Sequence, residues 1–157
     1  MIGSYPQIKL IVLAAHNLLR WVIVILAIYA LVRLVSSWLK KSDWLPADQK
    51  AVSYFMIALD TQLMLGLLLY FVLSDLTRTA FTDFGEAMGN QVLRFFTVEH
   101  GLIMLLAITV ANIANAAGKK DLPGMEKFKR VTILLGISVL LILAGIPWTL
   151  RPLLPVF

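Results

Sequence analysis

A chain of 157 residues in which 60% are hydrophobic and 15% charged is too apolar for a soluble globular domain, where about a quarter of residues are charged. The net charge of +5 is gathered mainly in two short loops, where membrane topology accounts for it better than nucleic-acid binding does. Cysteine is absent, which excludes disulfides, thiolate metal sites and a cysteine nucleophile.

The first apolar run has no basic segment before it, no small-residue cleavage site after it, and is too long for a signal peptide, so a retained helix is expected from about Leu10 to Val35. That length crosses a hydrocarbon core of about 30 Å. Arg33, Trp38, Lys40 and Lys41 mark its far end at headgroup level. In the following loop Pro46 stops one helix and Asp48 is placed to cap the next. A second helix is expected from about Ala51 to Leu73, with Asp60 and Gln62 near its middle and Tyr70 near its end.

The stretch from Ser74 to Asn90 is polar and suits a short amphipathic or irregular piece at the interface. A third helix is expected from about Gln91 to Asn115, with Ala107, Ala111 and Ala114 spaced to let a neighbour approach closely. Breakers at Gly118, Pro123 and Gly124 precede a fourth helix from about Val131 to Trp148, and the tail from Arg151 carries two prolines. The expected fold is all-α and integral to the membrane, one domain over 1–157, a four-helix up-down-up-down bundle.

Orientation follows from the basic residues. The first loop holds Arg33, Lys40, Lys41 and Lys50, and the third Lys119, Lys120, Lys127, Lys129 and Arg130. The opposite side has Lys9, Arg78 and Arg151, with Arg94 just inside the third helix. Loops one and three are therefore expected in the cytoplasm, with both termini outside.

The two histidines fall inside apolar helices. His16 lies seven residues past Lys9 and His100 six past Arg94 on helices expected to run parallel, so their depths differ by about 1.5 Å. Level imidazoles on two helices of one bundle are the geometry for two axial ligands of a flat macrocycle. Arg20, one turn on from His16, and Arg94 offer guanidiniums for the two propionates of a haem. Arg20 alternatively pairs with Asp60 or Glu99; the depths of Arg20 and Asp60, about 16 Å and 15 Å from their starting sides, lead us to expect an Arg20–Asp60 ion pair. Met56, Met64 and Met104 read as core filler rather than iron ligands. There is no CxxCH motif, so any haem is non-covalent.

Five segments resemble small four-helix bacterial membrane proteins of the cytochrome b or cytochrome b-like type: HNLLRW (His16 to Trp21), QLMLGLLLYF (Gln62 to Phe71), AMGNQVLRFFTVEH (Ala87 to His100), KFKR (Lys127 to Arg130) and IPW (Ile146 to Trp148). The resemblance spans nearly the whole chain, and RF-x-TVEH is its most specific part. It implies that His16 and His100 are candidate haem ligands, that Arg20, Arg94 and Glu99 belong to the site, and that the protein resides in a bacterial inner membrane. One position departs from it: Asp60 stands where a histidine is frequent ahead of the Q-x-x-x-G segment. The leading expectation is a b-type cytochrome subunit holding one haem b between the first and third helices and exchanging electrons with quinol or a partner redox protein. The alternative is a haem-free accessory subunit of a respiratory or photosynthetic complex, or a homo-oligomer. A non-haem metal held by the two histidines with Asp60 or Glu99 is third.

Overall fold

The computed structural model describes residues 6–150. The expected tail from Arg151 lies outside them. All regular structure among the described residues is helical, and four helical spans are long and apolar enough to cross a membrane. Helix α1 covers Pro6–Leu39, and α2 covers Pro46–Leu68 and continues as a π turn over Leu69–Leu73. Short helices α3 (Asp75–Thr82) and α4 (Phe84–Gly89) follow. The third span is built from α5 (Gln91–Arg94), a second π turn (Phe95–Glu99) and α6 (His100–Gly118), and the fourth is α7 (Gly124–Gly145).

Three spans begin earlier than hydropathy alone places them, because polar residues at the starts complete helical turns. Pro46 takes the first position of α2, where a missing N–H costs nothing, and Asp48 Oδ2 accepts from the Leu45 N–H at 2.7 Å. The polar stretch between the second and third spans is more regular than expected for the same reason. Ser74, Asp83 and Asn90 each accept a backbone N–H of the helix they precede, at 3.3, 2.9 and 3.0 Å. The fourth helix ends at Gly145, three residues short of the expectation. At the end of α1, Lys41 takes a left-handed φ of 52°, and the Ser42 N–H returns to the Ser37 carbonyl at 3.0 Å, the closing bond of a Schellman turn.

The four spans form a ring: α1 packs on α2 and α7, and α6 packs on the same two, so α1 and α6 face each other across the bundle. The core is continuous through the ring, with Phe55, Phe128, Leu34 and Leu135 fully buried. Ala107, Ala111 and Ala114 are fully buried, and their small size lets α7 come close enough for Ser138 Oγ to donate to the Ala107 carbonyl at 2.8 Å. Met56 is core as expected, but Met64 is 66% exposed, because it falls on the outward stripe of α2.

Candidate functional site

Facing α1 and α6 bring His16 and His100 together at the end of the bundle that also holds α3, α4 and both π turns. Their ring centres are 6.4 Å apart with planes inclined at 63°. Each ring is held by a different device.

His100 opens α6 directly behind the second π turn, and its Nδ1 lies 2.8 Å from the Gly145 carbonyl. A carbonyl oxygen can only accept, so Nδ1 carries the proton and Nε2 is left with its lone pair. The carbonyl is available because α7 ends at Gly145, and the last carbonyls of a helix have no intrahelical partner. Trp148 Nε1 satisfies a second one, that of Leu143, at 2.8 Å. Phe95 and Phe96 flank the His100 ring with centres at 5.8 and 6.3 Å.

His16 sits over Gly66 of α2, where an added Cβ would lie 3.4 Å from its Cε1. Gln62, one turn before Gly66, donates its amide to the His16 carbonyl at 2.9 Å. The two α2 residues thus seat the backbone and the ring of one α1 residue. His16 Nδ1, Gln62 Oε1 and Thr97 Oγ1 are buried and lack hydrogen-bond partners among the described residues.

The π turns are linked. A π turn loosens the regular i to i−4 ladder, freeing carbonyls for other donors. Tyr70, within the first, donates its hydroxyl to the Thr97 carbonyl within the second at 2.7 Å, and the Tyr70 carbonyl accepts from Thr77 Oγ1 at 2.7 Å. Lys9 of α1 pairs with Asp75 at the start of α3, closing the same end on its outer side. That ammonium holds the Asp75 carboxyl below its ordinary value of 3.8.

The arginines separate. Arg20 is 8% exposed and lies inside the bundle, with its guanidinium carbon 5.5 Å from the Trp21 ring centre. Arg94 is half-exposed and committed to Glu99 at 2.7 Å and to the Met88 carbonyl at 3.0 Å. Glu99 therefore pairs with Arg94 and not with Arg20. The expected Arg20–Asp60 pair does not form: Asp60 is exposed and makes no ion pair with a described residue. Helical rise matched their depths, but Asp60 lies about 100° round the helix from buried Leu59 and faces outward. No group of three histidine or acidic side chains able to hold a metal occurs among the described residues, so a histidine–carboxylate centre lacks its third donor.

The 6.4 Å between ring centres is short enough for both imidazoles to reach one metal ion. With each nitrogen about 2 Å from a shared metal and the ring centre about 1 Å beyond, two ligating imidazoles would have centres roughly 6 Å apart. With its Nδ1 held by a carbonyl, His100 has the arrangement a metal-bound histidine ordinarily has, Nε2 being free to ligate; His16 Nδ1 has no such acceptor among the described residues. Of the cavities described, one lies along α1 between Ile28 and Lys40 and another between α1 and α7 from Ile23 to Leu143; neither reaches the histidines.

Sequence reasoning missed Gly66, Tyr70 and Gly145 as parts of this site. Gly66 had a signal, its four-residue spacing from Gln62, which puts both on one face. The carbonyls of Thr97 and Gly145 had none, because backbone groups freed by a π turn or a helix end leave no trace in residue type. Comparison of the chain with protein-family models, with curated proteins and with solved structures finds no match among any of them.

Proposed function

We propose that the protein is a b-type cytochrome-like membrane subunit in which His16 and His100 would hold one non-covalent haem b. The observation that carries this reading is the 6.4 Å spacing of two imidazoles on facing helices, one of them oriented by a backbone carbonyl. When bound, the haem supplies a one-electron couple for exchange with quinol or a partner redox protein.

The chain's own residues act by holding and orienting. The Gly145 carbonyl fixes the His100 tautomer and leaves Nε2 with its lone pair; a hydrogen bond to the far nitrogen would also raise the basicity of the ligating one. Gly66 leaves room for the His16 ring, and Gln62 pins its backbone. Arg94, already neutralised by Glu99, stands at the rim where a propionate would displace or share that carboxylate. Arg20 contributes positive charge from inside the bundle. The spans alternate in direction, both termini face outside, and the host is a bacterial inner membrane in which the chain serves a larger complex or an oligomer.

The rival reading, a haem-free accessory subunit, has one observation in its favour. His100 capping Gly145 is a sufficient structural reason for that histidine. It supplies none for His16, whose buried Nδ1 has no partner among the described residues. A pyridine haemochrome spectrum of purified protein separates the two. A b-type spectrum with iron at about one per chain is expected. No b-type absorbance, and none gained when haem is added, sinks the proposal and leaves the accessory role.

A further inference from the structure

Asp60 lies fourteen residues after Pro46 and thirteen before Leu73, hence about 20 Å by helical rise from either end of its span. Its side chain is exposed and makes no hydrogen bond or ion pair with any described residue. Around it the outward stripe of α2 carries Ile57 at 61%, Met64 at 66% and Phe71 at 69% exposure. The one other polar group beside it, the Thr61 hydroxyl, is turned back onto the Ile57 carbonyl at 2.8 Å. An acid at mid-membrane thus sits alone on a surface that is otherwise fit only for lipid tails.

Lipid tails offer no donor, and ionisable side chains within spans nearly always face protein or a water-filled cavity. A second copy of the chain is a poor occupant of this stripe. The charged residues more than ten positions from either end of a described span are Arg20 and Asp60, and Arg20 is 8% exposed inside its own bundle. Another copy would bring to Asp60 either apolar surface or its own Asp60, and neither supplies a cationic donor. We infer that the outward face of α2 is the docking surface for a transmembrane helix of a different protein, one carrying an arginine or lysine at mid-depth.

The test uses the full chain, labelled on α7 and reconstituted in phosphatidylcholine vesicles, with a polyleucine transmembrane peptide bearing one central arginine and an all-leucine control. Energy transfer should show the arginine peptide associating about tenfold more tightly than the control. The substitution Asp60→Leu should erase that preference while leaving helicity by circular dichroism unchanged, since the site is on the surface. Equal binding of the two peptides to the native chain overturns the inference, as does a preference that survives in Asp60→Leu. Energy transfer between differently labelled copies of the chain, lost in Asp60→Leu, also overturns it and assigns the face to self-association.

Discussion

At the end of the bundle where α1 turns into α2, Asp48 is fully buried and both of its oxygens are engaged, Oδ1 by Arg33 at 2.8 Å and Oδ2 by the Leu45 N–H. At the opposite end His16, Gln62 and Thr97 each keep one buried polar atom without a hydrogen-bond partner among the described residues. The first end is latched further by Gln49, whose amide donates to Asn115 Oδ1 at 2.8 Å, by Ser53 donating to the same oxygen at 3.2 Å, and by Trp44 packed at a tilt against Phe128 with centres 4.9 Å apart. Gln49 Oε1 is buried there without a hydrogen bond, and Asp48 Oδ1 and Arg33 Nε meet as an ion pair rather than through an aligned hydrogen bond. A buried polar atom without a partner costs about 1–3 kcal/mol. One end spends most of its polar groups on contacts between helices, and the other spends fewer of its own.

The change expected to break this contrast most sharply is at the open end. His16→Ala or His100→Ala should abolish haem retention, read as loss of the b-type spectrum after purification in haem-supplemented medium. The latched end should survive both, so that thermal unfolding in detergent shows a folded bundle.

At the latched end, Asp48→Leu leaves Arg33 without its buried partner and should cost about 3 kcal/mol, the low end for a broken buried pair because Arg33 keeps some contact with solvent. Arg33→Met combined with Asp48→Leu should cost less than Asp48→Leu alone. Urea unfolding in mixed micelles measures both, and the haem spectrum should stay unchanged throughout. A smaller loss of about 1 kcal/mol is expected for Asn115→Leu, which removes the acceptor that Gln49 and Ser53 share.

The smallest effect is the pH dependence of the exposed Lys9–Asp75 pair. Its folded carboxyl titrates below the ordinary value, so its contribution is present above about pH 4 and is lost as pH falls through the lowered value. Asp75→Asn should flatten that acid limb slightly and change nothing at neutral pH, as seen by melting temperature against pH.

How much of this was legible beforehand divides along a physical line. Hydropathy and the rise of a helix place residues along the membrane normal, so the four spans and the comparable depths of His16 and His100 were readable from counting. Rotation about each helix axis is set by packing and by the two π turns, and counting through a π turn gives the wrong face. Asp60 shows the cost: its depth was estimated, its direction was not, and a pairing with Arg20 was inferred from depth alone. The capping residues Ser74, Asp83 and Asn90 carried a local signal in their type, whereas the bond from Tyr70 to a Thr97 carbonyl carried none.

The π turn over Phe95–Glu99 gives the length of the chain a meaning here that it lacks in a loop. A π turn takes up one residue more than an α turn, so the helix beyond it is rotated by about 100° from where an unbroken α-helix would leave it. Removing any single residue between 95 and 99 would let the span regularise and swing His100 off the bundle axis with every side chain of the site still encoded. For relatives of this protein, a one-position gap at that point of an alignment would therefore separate chains that can present both imidazoles from chains that merely contain them.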